Sequence, residues 1–129
     1  SDGNDIEHLN QGALQTLMKA RDQGLVQAVG LSGKTVEGGR QALDQGADCL
    51  MITLNPETQD KKPLIAEAQQ YGAGLLVKKA LGSGHLTTSI PEIFRDLFAL
   101  PNITSAIIGT INPMHLRNNC LALPPEIQL

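Results

Sequence analysis

Residues 25–35 read LVQAVGLSGKT, and this stretch decides how the chain is organised. A short apolar run comes first, glycines interrupt it, and a polar segment follows that can begin a helix. Two interpretations are open. Ala28–Thr35 satisfies a loose form of the phosphate-loop pattern, in which Ala or Gly is followed by four residues and then Gly-Lys-Thr. Alternatively, residues 25–35 form one of several strand–loop–helix units, each with its polar loop after the strand.

The rest of the chain repeats this arrangement. Short apolar runs alternate with segments that have apolar residues at helical spacing, which indicates parallel β/α units joined by right-handed crossovers. Four such units are half of a (β/α)8 barrel, and a small doubly wound sheet is the other closed arrangement. We expect strands near 26–31, 49–54, 74–79 and 104–108, with helices before, between and after them.

The helical segments begin and end at recognisable residues. The first is predicted as one helix over about 6–20, and Gly24 stops it. The pair Gly38-Gly39 should weaken the first turns of the second helix, by roughly 1 kcal/mol per glycine relative to alanine. The candidate N-cap residues are Asn4 or Asp5 for the first helix and Ser32 or Thr35 for the second.

Composition restricts the class of protein. The 129 residues are 41% hydrophobic but only 2% aromatic, so we expect one domain over residues 1–129 with an aliphatic core. The net charge is −3 and no basic block occurs, which argues against a nucleic-acid partner. No apolar run approaches the roughly 20 residues of a membrane span. Because the N-terminus is polar and unlike a signal peptide, we expect a cytoplasmic protein without a membrane partner.

The two cysteines, Cys49 and Cys120, lie far apart and lack the spacing of metal ligands. They are expected to be buried, reduced thiols, as in most cytosolic proteins. No residue of the chain is therefore assigned to a metal.

The loops at the carboxyl ends of parallel strands are the expected functional loops. Lys78 and Lys79 end an apolar strand, where a cation either binds an anion or extends to solvent. A phosphate-loop enzyme also needs an apolar strand that ends in Asp to hold magnesium, but here the candidate strand ends Thr53-Leu54-Asn55. The phosphate-loop interpretation is weakened accordingly.

Four segments occur in the order shown by one enzyme family. Residues 23–32, QGLVQAVGLS, resemble the GKVRAIGVS strand of the aldo-keto reductases. Asn55-Pro56, residues 79–84 (KALGSG) and residues 107–119 (IIGTINPMHLRNN) follow in the family's order, and the last is the most specific. The resemblance covers nearly the whole chain. It implies an α/β fold of parallel β/α units, half of a TIM (β/α)8 barrel that corresponds to strands five to eight.

This placement implies that function is divided between the two halves of the barrel. The family's catalytic Asp, Tyr, Lys and His belong to the first half, so no catalytic role passes to this chain. By the resemblance, the second half binds NADP(H). The nicotinamide is expected near Ser32, the pyrophosphate near residues 81–84 and the adenosine end near Thr110. The implied cofactor-binding residues are Ser32, Gly33, Lys78, Lys79, Leu81, Gly82, Ser83, Gly84, Gly109, Thr110, His115, Asn118 and Asn119.

Four positions depart from the family's pattern. Gly33 stands where many members have Asn, and Met51 where many have Gln. Lys78 stands where an aromatic side chain often stacks on the nicotinamide. His115 replaces the arginine that some members place on the 2′-phosphate, which keeps NAD(H) open as an alternative to NADP(H).

The resemblance implies a fragment of an NADP(H)-dependent aldo-keto reductase that reduces aldehydes or ketones, small carbonyl substrates. The 129 residues alone are expected to be inactive. One alternative is a non-catalytic sensor or accessory subunit of the same fold that binds pyridine nucleotide, and another is a phosphate-loop domain. A half barrel leaves two strand edges and an apolar inner face open, so we expect self-association that covers them.

Overall fold

The computed structural model describes residues 4–82 and 88–127, and helices and strands alternate through these ranges. The strands are β1 (Gly30–Ser32), β2 (Cys49–Thr53), β3 (Gly74–Lys78) and β4 (Ile103–Ile107). The helices are α1 (Asn4–Asn10), α2 (Ala13–Asp22), α3 (Val36–Asp44), α4 (Pro63–Tyr71), α5 (Ile90–Phe98) and α6 (Pro113–Leu121).

The four strands form one parallel sheet in the order β1-β2-β3-β4. Each strand pairs with the next one along the chain, with Leu31 opposite Leu50 and Leu50 opposite Leu75. A doubly wound sheet would reverse direction at a switch point, whereas barrel strands follow one another in sequence. The predicted parallel β/α units are confirmed, and the sequential order is that of a barrel segment.

The core lies on the side of the sheet that the helices cover. Burial alternates along β2 and β3, because successive strand residues point to opposite faces. In β2 and β3, the residues that point toward the helices are almost fully buried, and the residues that point to the opposite face are half-buried. The core is mostly aliphatic, but Phe94 is its largest fully buried side chain. Its aliphatic members include Leu9, Leu14, Leu43, Leu50, Ile52, Leu64, Ile65, Leu75, Val77 and Leu97.

The N-terminal helical segment is two helices, and the prediction of one helix over about 6–20 was wrong. Gly12 adopts a left-handed backbone with φ +83°, which ends α1 and redirects the chain into α2. Glycine adopts this conformation without steric cost. Asp5, a candidate N-cap residue, lies inside α1 and is buried.

β1 is shorter than the predicted strand 26–31. Gly30 is opposite Cys49, the first residue of β2, so residues 26–28 extend beyond the start of their neighbour and pair with no strand in the part of the chain that the structure describes. Leu25, just before them, is 73% exposed. β2 and β3 each end one residue earlier than predicted, and β4 both begins and ends one residue earlier than predicted.

The glycines of α3 have a packing role that the sequence did not reveal. A Cβ atom on Gly38 would lie 2.5 Å from Asp5 Cβ, and one on Gly39 would lie 2.6 Å from Leu64 Cδ1. The absence of side chains therefore lets α1 and α4 approach α3 closely. Thr35 caps the helix, since its Oγ1 accepts a hydrogen bond from the Gly38 amide at 3.0 Å.

Both cysteines are free thiols, as expected, but the prediction that both are buried was wrong. Cys49 is half-buried on the uncovered face of β2, and Cys120 is exposed on α6, whose side chains lie mostly outside the core. Within residues 4–82 and 88–127, no helix is long and apolar enough to cross a membrane.

Candidate functional site

A cleft of about 730 Å³ opens at the carboxyl ends of β3 and β4. It lies between the loop that follows β3 and the segment that leads from β4 into α6. Its described lining consists of Lys78, Lys79, Ala80, Leu81, Ile90, Ile107, Ile108, Gly109, Thr110, His115, Asn118 and Asn119.

Most of the predicted cofactor-binding residues meet in this cleft, although they come from two separate stretches of sequence. The last residue of β3 and the loop after it contribute Lys78, Lys79 and Leu81, and Gly82 follows directly. The second stretch contributes Gly109, Thr110, His115, Asn118 and Asn119. Ser83 and Gly84 lie outside the described residues. Ser32 and Gly33 belong to β1 and its loop, two strands away, and do not line the cleft.

Lys78 links the cleft to β1. Its Nζ donates a hydrogen bond of 2.9 Å to Ser32 Oγ, across the intervening strand β2. Both residues lie at the carboxyl ends of their strands, so the pair spans the top of the sheet's uncovered face. Ser32 thus contacts the cleft's lining through Lys78, although it lies outside the cleft.

Lys79 has an unusual backbone conformation, with φ +57° in the left-handed region. Residues other than glycine seldom adopt it, and where they do, the surroundings must impose it. Two donors hold the Lys79 carbonyl oxygen here: Asn55 Nδ2 at 3.0 Å and the Gly82 amide at 2.9 Å. The Lys79 side chain itself is exposed at the cleft.

The opposite wall of the cleft is the start of α6. The Asn112 side chain caps this helix, since its Oδ1 accepts from the Met114 amide at 2.9 Å, and Pro113 occupies the first turn. His115 and Asn119 are four residues apart and therefore share one helix face. Asn119 is buried and His115 is exposed, so this wall has one polar side chain deep in the cleft and another near its opening.

A carboxylate from α1 organises the loop after β1. Asp5 Oδ2 accepts hydrogen bonds from the amides of Lys34 at 2.7 Å and Thr35 at 2.8 Å, and from Thr35 Oγ1 at 3.0 Å. Burial favours the neutral acid, but the three hydrogen bonds outweigh it and lower the pKa of the Asp5 carboxyl. From the sequence, Asp5 is only a candidate cap, because nothing local indicates a partner about 30 residues away.

This arrangement weighs against a phosphate loop at Gly33-Lys34-Thr35. A phosphate loop presents free backbone amides to its ligand. Here the Lys34 and Thr35 amides are taken by Asp5, and the carboxylate would repel an incoming anion. Gly33 is also buried, so its backbone is not open to a ligand.

The polar groups of the cleft suit an anionic ligand rather than a metal. In residues 4–82 and 88–127, no three His, Cys, Asp or Glu side chains converge on a point where a metal ion could sit. The described lining contains cations, amides and a hydroxyl but no carboxylate. Such a site can neutralise and hydrogen-bond a phosphate group.

Two solved structures share this fold and are more than 40% identical to the chain in sequence. PA4992, a Pseudomonas aeruginosa protein assigned to the aldo-keto reductases, is 41% identical over 95% of the chain, with a TM-score of 0.81. A second Pseudomonas aeruginosa structure assigned to the same family is 44% identical over 92% of the chain, also with a TM-score of 0.81. This chain belongs with the aldo-keto reductases.

The match extends over only part of those proteins. The chain spans 46% of each Pseudomonas aeruginosa structure, about half of its length. The thermostable aldo-keto reductase Tm1743, crystallised with the inhibitor epalrestat, shares the fold at 23% identity and a TM-score of 0.68, and the chain spans 49% of it. The four β/α units are therefore half of an aldo-keto reductase barrel. No protein-family model and no curated protein matches the chain.

Proposed function

We propose that this chain is the cofactor-binding, C-terminal half of an aldo-keto reductase and that its cleft binds NADP(H). In the protein that contains it, NADPH would transfer hydride to an aldehyde or ketone. The observation that carries the proposal is the cleft at the ends of β3 and β4. It joins two stretches of sequence that the family resemblance independently assigned to the cofactor.

The chemistry of the cleft supports a dinucleotide ligand. A pyrophosphate carries negative charge and needs a cation together with hydrogen-bond donors. Lys79 supplies the cation, and the first turn of α6 brings the positive end of a helix dipole, on the order of half a charge, toward Thr110. The amides of Asn118 and Asn119 can hydrogen-bond the adenosine end.

Calorimetric titration of the protein that contains this chain tests the proposal. NADP+ and NAD+ are compared, with ATP and magnesium as the probe for a phosphate loop. We expect NADP+ to bind, and we expect Lys34→Ala to change the Kd by no more than about twofold. The reason is that Lys34 lies on the loop whose amides donate to Asp5 and not in the cleft. Binding of ATP with magnesium that Lys34→Ala abolishes would overturn the proposal.

A second assay separates an enzyme from a sensor of the same fold. Oxidation of NADPH is followed with an aldehyde substrate. Turnover supports the reductase, whereas tight NADP(H) binding without turnover on any carbonyl supports a non-catalytic sensor or accessory subunit. A reductase and a sensor would both bind NADP(H) in this cleft, so the affinity for NADP(H) does not distinguish them and turnover of a carbonyl does.

A further inference from the structure

The backbone at Lys79 interrupts the alternation of β3. Val77 is fully buried in the core, and Lys78 faces the uncovered side of the sheet. A continuing strand would turn residue 79 back into the core. Instead, Lys79 is exposed and Ala80 is the next fully buried residue. The left-handed conformation at Lys79 therefore inserts one residue into the pattern, and that residue carries a cation to the cleft.

Asn55 is placed to hold this conformation. Its Oδ1 accepts hydrogen bonds from the amides of Glu57 at 3.0 Å and Thr58 at 2.9 Å, which fixes the side chain in the turn after β2. Its Nδ2 is then directed at the Lys79 carbonyl oxygen, 3.0 Å away. All three hydrogen bonds depend on the amide having an acceptor at one end and a donor at the other.

We propose that Asn55 is a positioning residue that holds Lys79 in its left-handed conformation and so presents the Lys79 ammonium group to an anionic ligand in the cleft. The inference rests on the proposed function for the identity of that ligand, the pyrophosphate of NADP(H). Asn55 does not line the cleft and acts through the Lys79 carbonyl.

The first test is Asn55→Asp in the protein that contains this chain. Aspartate keeps the acceptor for the Glu57 and Thr58 amides but cannot donate to the Lys79 carbonyl. We expect the Kd for NADP+ to rise about fivefold to tenfold. The matched control is Asn102→Asp, which removes a similar bond, from Asn102 Nδ2 to the Ala73 carbonyl, at the other end of the sheet. The control should leave the Kd within about twofold.

A double-mutant cycle separates positioning from the added charge. Lys79→Gly removes the cation, and glycine adopts the left-handed backbone readily, so this variant should fold at least as well as the wild type. In the Lys79→Gly background we expect Asn55→Asp to have little further effect on the Kd, because the ammonium group that Asn55 positions is gone. A full additional loss of affinity in that background would show a charge effect and would overturn the proposal.

A second readout does not depend on the cofactor. The Gly82 amide donates to the same Lys79 carbonyl, so its hydrogen exchange reports the local conformation. We expect exchange at Gly82 to accelerate about tenfold in Asn55→Asp and to be unchanged in Asn102→Asp. Unchanged exchange in Asn55→Asp would overturn the positioning role. If the wild type fails to bind NADP+ while exchange responds as expected, the proposed function fails and the positioning role stands.

Discussion

The Asp5 carboxylate joins α1 to the loop after β1 through three hydrogen bonds, and it is 6% exposed. Asp5→Asn replaces the ionised acceptor of these three hydrogen bonds by a neutral amide oxygen, which is a weaker acceptor. We expect the free energy of unfolding at pH 7 to fall by about 1–3 kcal/mol. Urea denaturation measures it, with the exposed Asp22→Asn on α2 as the control. A loss below about 0.5 kcal/mol would show that the loop holds without Asp5.

The lowered pKa of Asp5 predicts the pH dependence of this effect. The folded state favours the carboxylate, so the stabilisation is complete above the unfolded pKa of about 3.9. It is lost as the pH falls through that value toward the lower folded pKa. The stability difference between wild type and Asp5→Asn should therefore shrink between about pH 5 and pH 2. A difference that grows toward low pH would contradict the assignment.

The two adjacent lysines should not contribute equally to cofactor binding. Lys78 is engaged by Ser32 Oγ, while the Lys79 side chain is exposed at the cleft. Lys79→Ala should raise the Kd for NADP+ about tenfold at low salt, and Lys78→Ala should raise it about threefold or less. Calorimetry at two salt concentrations checks both the ranking and its electrostatic origin. A larger effect of Lys78→Ala would place the ligand nearer to β1.

Single residues were predicted best where a charged side chain stands at the end of an apolar strand. Lys78 and Lys79 were predicted at the end of an apolar strand, and both line the cleft. The role of Asp5 could not be predicted, because its partners lie about 30 residues away and depend on how α1 packs. The left-handed Lys79 was also missed, since such a backbone is expected at glycine.

Helix α3 shows how packing reverses a propensity argument. Alanine normally stabilises a helix interior relative to glycine. At Gly38, however, a Cβ atom would lie 2.5 Å from Asp5 Cβ and 2.9 Å from Thr35 Oγ1. We expect Gly38→Ala to lower the free energy of unfolding by about 1–3 kcal/mol, the usual cost of overpacking. The exposed Glu37→Ala in the same helix is the control and should be within about 0.5 kcal/mol of the wild type. Stabilisation by Gly38→Ala would show that α1 can move away.

Among the secondary elements, existence was predicted better than extent. The alternation of strands and helices followed from periodicity, and Gly72, with φ +68°, ends α4 where expected. The break at Gly12 was missed because the apolar residues on both sides keep a helical spacing. Residues 26–28 were predicted as strand but are not, because a strand needs a neighbour to pair with and the neighbouring strand β2 begins at Cys49, opposite Gly30.

Across the described residues 4–82 and 88–127, one face of the sheet is uncovered, and β1 and β4 are its edge strands. Exposed apolar side chains lie on α6 beside β4, among them Leu116 at 54% exposure. We propose that another polypeptide, such as a second copy of the chain, covers this region. Sedimentation of the 129 residues should show an average mass that rises with concentration. Leu116→Lys should reduce the rise, and Leu17→Lys on α2 should not. A monomer at high concentration would contradict the proposal.

The isolated chain should also lack carbonyl reductase activity. Reduction of a carbonyl needs a proton donor within hydrogen-bond reach of its oxygen. The sole tyrosine, Tyr71, lies at the end of α4, away from the cleft, and its hydroxyl donates to Asp44. NADPH oxidation with an aldehyde by the purified 129 residues should not exceed the rate without protein. Measurable turnover would show that this half carries its own acid.

The sequential strand order has a consequence for how the chain folds. Because β1, β2, β3 and β4 pair in chain order, each pairing joins segments separated by one helix and its loops. No strand has to wait for a distant part of the chain, although each parallel pairing must close a crossover loop and forms more slowly than a helix does. Folding can therefore proceed unit by unit from a single β/α nucleus, with each completed unit offering an edge on which the next one assembles.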